Sequence, residues 1–292
     1  MGWETVYVTS KCKLSYKSNH LLVQKTTEIT EIPFHQISCI LVATTQVVIT
    51  GYLISKLTEA NIKIIFCDSD HNPCSELNGY YSNSNRNQNI DKQFSWPIPK
   101  KELLWTNIVT NKIENQIYIL KQQKLDTTEV TDEFNNIKDN DRTNREAIIA
   151  MKYFPALFGS NFSRGNPKDD INKMLNYGYT ILLSTVNQEV IAQGYLTQIG
   201  IHHHSNQNDF NLSSDLMEPF RQFVDQIVIE HQEDVFDEDT KLDILAVLEK
   251  EITYNDKNYI LKNAITQHVQ NCFKFLDAKK QSIAKVEFKD EV

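Results

Sequence analysis

The period of the hydrophobic pattern changes once along the chain, and this change constrains the fold more than any other feature. Up to about residue 75, apolar residues alternate or form short runs, as at 37–43 and 62–67, which is typical of strands. From about residue 100 onwards they recur at helical spacing, for example over 104–120. The sequence therefore predicts an α+β protein with a small N-terminal β-rich domain and a larger all-helical C-terminal domain.

Between the two patterns lies a segment that offers little to bury. Residues 75–93 are rich in asparagine and serine, a composition typical of loops and linkers. We therefore expect a β-rich domain over 1–75, a linker over 76–99 and a helical domain over 100–292. One helix is expected inside the first domain, at 52–59, and a short hairpin inside the second, at 253–259.

Length and composition indicate a globular protein with room for about two domains. The chain has 292 residues, of which 40% are hydrophobic, and this is enough for a sizeable core. Its five cysteines are odd in number and contain no C-x-x-C pair, so neither a disulfide framework nor a cysteine zinc site is indicated. The N-terminus carries no signal-peptide pattern, and no apolar run reaches the length of a membrane span. We expect a cytoplasmic protein without a membrane segment.

The negative charge of the chain is concentrated in one segment. The formal net charge is -8, and residues 230–243 contain seven acidic side chains against a single lysine. A negative total argues against nucleic acid, whose phosphates favour basic partners. Because six of the eight excess charges lie in this segment, the rest of the chain is nearly neutral and can still present a basic face. The sequence contains no P-loop, no G-x-G-x-x-G and no nucleophile elbow, so ATP use is not expected.

Three consecutive histidines and a later glutamate form a candidate metal site. His202, His203 and His204 follow a long apolar helical pattern, and Glu218 precedes Pro219 and a second helical pattern. Proline suits the first position of a helix, so Glu218 is expected at a helix start. The residues alone also fit a solvated histidine loop and a carboxylate that interacts with the helix dipole. They do not decide which imidazole is a ligand, since consecutive side chains point in different directions.

A second carboxylate, Glu146, lies at the expected start of another helix. The sequence Thr143-Asn144-Arg145-Glu146 matches a capping box, in which the glutamate bonds to the Thr143 backbone N–H. In that interpretation Glu146 has a structural role only. The helix is expected to run from about Asn144 to a break at Pro155.

Four ordered blocks of sequence carry a resemblance to a known family. They are MGWETVYV at the start, TNREAIIAMKYFPALFGSNFSR around Glu146, INKMLNYGYTILLS around Asn176, and GIHHH followed by SSDLMEPFRQFVD around Glu218. Together they resemble the Cas1 family, the metal-dependent integrases of CRISPR spacer acquisition, and in particular the form found beside Cas9 systems. The resemblance covers nearly the whole chain, and the asparagine-rich linker and the acidic segment depart from it locally.

The resemblance implies a metal triad of Glu146, His203 and Glu218, which are then also the catalytic residues, with Mg²⁺ or Mn²⁺ as the ion. Two carboxylates and one imidazole, without thiolates, suit these ions better than a structural zinc. Arg145 and Arg221 flank two of these ligands and are candidate contacts to DNA phosphates. Ion pairs with Asp141 or Asp225 are the alternative for the two arginines.

The activity that the resemblance implies is metal-dependent DNA endonuclease and integrase chemistry. The nucleophile is then the 3'-hydroxyl of an incoming DNA fragment, which attacks a phosphodiester at the boundary of a repeat. A nuclease that uses water at the same site is one alternative. A non-catalytic DNA-binding scaffold, in which Glu146 only caps its helix, is another.

The resemblance also implies the partners of the protein and the arrangement of its domains. The fold is then a β-rich N-terminal domain, through which a homodimer forms, joined to a helical catalytic domain. The expected partners are double-stranded DNA, both as the incoming fragment and as the repeat array, a Cas2 dimer, and other adaptation proteins of the same system, including Cas9. Two symmetric dimers on one hub would hold their active sites a fixed distance apart.

Overall fold

A computed structural model gives the structure of residues 4–69, 71–79 and 83–289. The chain divides into two units, with the boundary between Ser84 and Asn85. The first three residues of the MGWETVYV block lie outside the described residues, and the other five form the first strand.

Strands dominate the described part of the first unit. Its elements are β1 (Glu4–Val8), β2 (Cys12–Lys17), β3 (His20–Gln24), β4 (Ile29–Pro33), β5 (Ile37–Val42), β6 (Val47–Ile49), α1 (Gly51–Glu59), β7 (Lys63–Cys67) and β8 (Pro73–Glu76). One sheet has the order β1-β5-β7-β8, with β1, β5 and β7 parallel and β8 antiparallel. The other has the order β4-β3-β2-β6, in which β2, β3 and β4 form an antiparallel meander and β6 runs parallel to β2.

The β-rich character predicted for the N-terminal part is confirmed, together with its one helix. The Thr50 hydroxyl caps α1 by accepting the Leu53 N–H at 3.3 Å. Leu53 and Leu57 face inwards and are fully buried in a cluster with Leu14. The sequence did not predict β4 and β8, because both are edge strands with little burial and no clear alternation; Ile29 of β4 is 59% exposed.

Helices dominate the second unit. Its elements are α2 (Arg86–Ser95), α3 (Ile98–Gln122), α4 (Thr128–Phe134), α5 (Arg145–Phe158), α6 (Asp170–Ala192), α7 (Asn211–Met217), α8 (Arg221–Glu230), α9 (Glu238–Leu245), β9 (Glu251–Tyr254), β10 (Lys257–Ile260), α10 (Leu261–Leu276) and β11 (Val286–Phe288). In the described part of the chain, every helix is too short or too polar to cross a membrane.

The segment predicted as a linker over 76–99 includes the boundary between the two units and also contains a helix, α2. Polar side chains of α2 hold it against the loop that follows α6. Asn89 donates to the Gln193 carbonyl at 2.8 Å. The Gln93 amide donates to the Leu196 carbonyl and accepts the Leu196 N–H, both at 2.9 Å. Hydrogen bonds to backbone groups replace the apolar stripe that a sequence pattern detects.

The C-terminal part is mostly helical, as predicted, and its described residues also form three short strands. The hairpin expected at 253–259 is present as β9 and β10, and β11 pairs with the other side of β9. β11 has three residues, too few for a recognisable alternation. The free side of β11 is bound by Asn111 of α3, which donates to the Val286 carbonyl and accepts its N–H, both at 2.8 Å.

The long helix α3 carries both the core and polar side chains that are unusual for a core. Trp105 and Ile108 are buried on it, as the apolar pattern predicts. Its buried residues also include the polar Asn111, Lys112, Asn115 and Gln116. Because a buried polar group is costly unless it is paired, these residues point to specific partners on neighbouring elements.

Candidate metal centre

Glu146 lies in the first turn of α5, and its carboxylate is not used to cap the helix. The Asp141 carboxylate accepts the Arg145 N–H at 2.8 Å and the Glu146 N–H at 3.0 Å. Asn144 precedes the helix in a left-handed conformation, with φ of 52°, and makes no side-chain cap. The capping-box interpretation of Glu146 is therefore wrong: Asp141 satisfies the amides from outside the helix, and the Glu146 side chain is left to bind Lys112.

Glu218 lies within a continuous helical stretch, and the prediction that it starts a helix is wrong. α7 ends at Met217, a 3-10 turn covers Glu218–Phe220, and α8 follows at once. Glu218 has helical dihedrals, with φ of -51° and ψ of -41°. Pro219 lacks the N–H that an α-helix would donate to the carbonyl of Asp215, so the ladder is interrupted and a tighter turn forms there. The same proline signature fits both a helix start and such a turn.

The two glutamates converge on one ammonium group. Lys112 reaches in from α3, binds Oε1 of Glu146, and lies 2.6 Å from Oε2 of Glu218. All three side chains are largely buried, and that of Glu218 is only 4% exposed. The partners of Lys112 lie on two different elements, α5 and the 3-10 turn. Three segments distant in sequence therefore meet at one charged cluster.

The charges in this cluster stabilise one another. Burial alone would raise the pKa of Glu218, but the cations of Arg221 and Lys112 hold that pKa well below its usual range. Burial alone would lower the pKa of Lys112, but the carboxylates of Glu218 and Glu146 raise it above its usual value. Lys112 and Glu218 are therefore ionised at neutral pH.

A buried aspartate, Asp215 on α7, organises the histidine loop. Its Oδ2 accepts the N–H groups of Ile201 at 2.7 Å and His202 at 3.0 Å. Its Oδ1 accepts the His203 N–H at 3.1 Å and binds the His203 Nδ1 at 2.6 Å. A Cβ on Gly200 would come within 2.7 Å of Asp215 Oδ2, so this close approach requires glycine.

The three histidines have three different environments. The Nδ1 of His203 is engaged by Asp215, which leaves Nε2 as the ring atom for other partners. The hydrogen bond to Asp215 raises the pKa of His203, and the charges of Glu218 and Glu146 act in the same direction. His202 stacks on Trp105 with ring centroids 4.1 Å apart, whereas His204 is exposed.

The candidate ligands suit a divalent ion, although His203 is bonded to Asp215 and not to the carboxylates of Glu146 and Glu218. Within the described ranges 4–69, 71–79 and 83–289, no three His, Cys, Asp or Glu side chains form a cluster ready to hold a metal. Glu146 and Glu218 nevertheless contact a single cation. Glu218 Oε2 is in ion-pair contact with Lys112 at 2.6 Å. Two converging carboxylates and a nearby imidazole with a free Nε2 fit Mg²⁺ or Mn²⁺.

The two arginines proposed from the sequence have carboxylate partners other than the expected ones. Arg145 pairs with Glu133 of α4, and only its backbone N–H is bonded to Asp141. Arg221 donates from Nε to Glu218 Oε1 at 2.9 Å and lies over the ring of Tyr179 at 4.6 Å. Arg145 therefore lies at the edge of the cluster, whereas Arg221 supports a candidate ligand directly.

Asp225, the expected partner of Arg221, is instead bound by two tyrosines. Tyr153 donates its hydroxyl hydrogen to Asp225 at 3.0 Å, and Tyr179 donates to the other oxygen. Burial raises the pKa of Asp225 to about 6 despite these hydrogen bonds. This buried network links α5, α6 and α8 beside the charged cluster.

Sequence reasoning missed two residues that shape the site, Lys112 and Asp215, and named Asp141 only as an ion-pair partner and not as the cap of α5. A signal for Lys112 was present, because it follows Trp105 and Ile108 on the apolar stripe of α3, where a solvated lysine is not expected. Asp215 precedes Glu218 by one helical turn, which places both on one face. Nothing in the sequence distinguishes Asp141 from other loop aspartates.

Comparisons with known proteins identify the family of the chain and support its fold. A family model described as CRISPR associated protein Cas1 matches residues 6–241. The CRISPR-associated endonuclease Cas1 of Neisseria meningitidis serogroup C (strain 8013) is 32% identical over 231 residues, covering 78% of this chain and 76% of that protein. A casposase bound to integration product matches 96% of this chain and 92% of its own, with a TM-score of 0.76 and 19% identity. A Cas6-RT-Cas1–Cas2 complex matches 99% of this chain and 36% of that chain, with a TM-score of 0.73 and 19% identity. At these identities the two structural matches show the fold alone.

Proposed function

The chain belongs to the Cas1 family of CRISPR-associated proteins, and we propose that it is a metal-dependent DNA integrase of CRISPR adaptation. In this proposal it joins the 3'-OH ends of a short DNA fragment to the boundary of a repeat by transesterification. The observation that carries the proposal is the convergence of the Glu146 and Glu218 carboxylates on one buried cation. The Cas1 relative from Neisseria meningitidis, named as an endonuclease, supports phosphodiester chemistry of this class.

The ion would be held by the carboxylates of Glu146 and Glu218 and by Nε2 of His203. Mg²⁺ or Mn²⁺ in this place supplies Lewis-acid polarisation of a phosphodiester and stabilises the charge that develops on its oxygens. Side chains of the protein orient the proposed ligands. Asp215 holds Nδ1 of His203 and so directs Nε2 away from itself. Arg221 fixes the orientation of Glu218 through Oε1 and leaves Oε2 for a cation.

The reaction needs no protein nucleophile. The 3'-hydroxyl of the fragment gives up its proton, and its oxygen forms a bond to the phosphorus of the target phosphodiester. The bond from that phosphorus to the 3'-oxygen of the target strand breaks, and the departing oxygen takes up a proton. The number of phosphodiester bonds is unchanged, so the reaction requires no ATP.

DNA contacts are proposed at the edge of the charged cluster. The Arg145 side chain is 29% exposed and bonded to Glu133, so a DNA phosphate there would compete with that carboxylate. Arg221 was also proposed as a phosphate contact. Its side chain is 26% exposed, so a phosphate contact stays proposed there as well, and its contacts with Glu218 and the Tyr179 ring support a second role in holding Glu218.

The second candidate function is a DNA endonuclease that uses water at the same site, and the name of the Neisseria relative favours it. The third, a non-catalytic scaffold, rested on Glu146 as a helix cap. Asp141 performs that task, so this basis for the scaffold is lost.

A strand-transfer assay separates the candidates. A labelled oligonucleotide with a 3'-OH is incubated with repeat DNA and Mn²⁺ or Mg²⁺, and a 3'-deoxy oligonucleotide serves as the control. Label joined to the repeat, only from the 3'-OH oligonucleotide, supports the integrase. Shortened DNA without joining supports the endonuclease, and no product with either ion contradicts both enzymes.

The proposed partners are double-stranded DNA, a second copy of the chain, a Cas2 dimer and other adaptation proteins, including Cas9. The casposase bound to integration product supports DNA, and the Cas6-RT-Cas1–Cas2 complex supports Cas2. The proposal of Cas9 as a partner rests on the sequence resemblance to the form of the family found beside Cas9 systems. The proposed location is the cytoplasm, where a CRISPR array is accessible.

A further inference from the structure

We propose that the Lys112 ammonium competes with the divalent ion for the carboxylates of Glu146 and Glu218, and that it must leave them before the ion binds. Lys112 would neutralise Glu146 and Glu218 in the metal-free protein and would set the ion concentration at which the site is filled. This inference rests on the proposed function, in which the same two glutamates hold the ion.

The first argument is that the ammonium and the ion need the same oxygen atoms. Lys112 binds Oε1 of Glu146 and lies 2.6 Å from Oε2 of Glu218. The other oxygen of Glu218, Oε1, is bonded to Arg221. Oε2 is therefore the oxygen of Glu218 left for an ion, and Lys112 already covers it.

The second argument is electrostatic. Two ionised carboxylates that face one another with little exposure to water repel strongly unless a cation lies between them. Lys112 supplies that cation, and Arg221 offsets part of the remaining charge on Glu218. A divalent ion that replaces the ammonium satisfies the same carboxylates with twice the charge.

The third argument is that the side chain can leave while its helix stays. Asn111 and Asn115 flank Lys112 on α3, and both are bonded to the carbonyl of Val286. Asn115 also donates to the carbonyl of Pro219 at 3.2 Å, beside Glu218. These bonds fix the backbone, whereas a lysine has a flexible four-carbon chain that can withdraw its ammonium.

The test measures ion binding in the absence of DNA. Mn²⁺ is titrated by calorimetry and by thermal melting into wild-type protein and Lys112→Met, which keeps an unbranched side chain one atom shorter and removes the charge. Lys152→Met is the matched control, since it removes an ammonium from α5 that pairs with Glu133 at 2.9 Å. We expect Lys112→Met to melt at a lower temperature without metal and to bind Mn²⁺ at least about tenfold more tightly than wild type. Lys152→Met should bind Mn²⁺ like wild type.

Equal or weaker Mn²⁺ binding by Lys112→Met overturns the inference. If Lys112→Met does not fold, Lys112→Gln takes its place in the same titration. If neither folds, wild-type protein labelled with ¹⁵N-lysine decides the question, because Mg²⁺ should shift the resonance of the buried ammonium. An unchanged resonance at saturating Mg²⁺ overturns the inference.

The failure of this inference and that of the proposed function give different results. Glu146→Gln and Glu218→Gln should each bind Mn²⁺ more weakly than wild type does. If they do so while Lys112→Met binds like wild type, the metal site stands and the role of Lys112 as a competitor falls. If wild type and Lys112→Met both fail to bind Mn²⁺, the metal site and the inference fall together.

Discussion

Replacing Asp215 by asparagine tests how the histidine loop is held in place. Each oxygen of this buried carboxylate accepts two N–H groups: Oδ2 from Ile201 and His202, and Oδ1 from the backbone and Nδ1 of His203. Asp215→Asn keeps the shape of the side chain but turns one of the two acceptors into a donor. Two buried N–H groups then face an NH₂ group and lose their acceptor.

The loss of stability follows from these hydrogen bonds. A buried polar group left without a partner costs about 1–3 kcal/mol, so two of them cost about 2–6 kcal/mol. Urea unfolding without added metal measures the free energy of unfolding of wild type and Asp215→Asn. Asp170→Asn is the control, since Asp170 pairs with Lys173 at the surface at 2.6 Å, and its loss should stay below about 1 kcal/mol. A loss below about 1 kcal/mol for Asp215→Asn would refute the role assigned to this carboxylate.

Three further predictions follow from the cluster and its surroundings. Glu146→Ala should abolish strand transfer while the protein stays folded: Asp141 still caps α5, and loss of the largely buried pair with Lys112 should lower the free energy of unfolding by about 1–3 kcal/mol; strand transfer at the wild-type rate would restore the structural interpretation of Glu146. His203→Ala should lose Mn²⁺-dependent strand transfer and His204→Ala should retain it over a metal titration; activity retained by His203→Ala and lost by His204→Ala would show that His203 is not the ligand. Burial raises the pKa of Asp225 from 3.8 to about 6, so the folded state favours its protonated form and loses about 2 kcal/mol relative to Asp225→Asn as pH rises from about 4 to 7. Urea unfolding of both proteins at the two pH values measures the difference in their free energies of unfolding. The same difference at both pH values would contradict the prediction.

The sequence predicts elements whose stability comes from apolar burial along one face. The helix expected over 52–59 is α1, which spans Gly51–Glu59 and buries Leu53 and Leu57. α2 was missed because Asn89 and Gln93 hold it by hydrogen bonds to backbone groups about a hundred residues away, which leave no periodic signal. The edge strands β4 and β8 were missed for a related reason: each buries little, so neither shows an alternation of apolar and polar residues.

The candidate site was predictable only in part, and the missing part depends on tertiary contacts. The resemblance to the Cas1 family indicated Glu146, His203 and Glu218, but composition and spacing alone left each of them with a structural alternative. Lys112 stands 34 residues before Glu146, and only the packing of α3 against α5 brings the two together. Asp215 acquires its role because the loop at Gly200 folds back onto it, which sequence spacing does not reveal.

The central claim is that Glu146 and Glu218 hold the ion with which this protein joins DNA. The most direct test is a time course of strand transfer at saturating Mn²⁺ for wild type and Glu218→Gln, which removes one charge and keeps the shape of the side chain. We expect joined product with wild type only, and only from a fragment with a 3'-OH. Joined product formed by Glu218→Gln at the wild-type rate, or from a 3'-deoxy fragment, would contradict it.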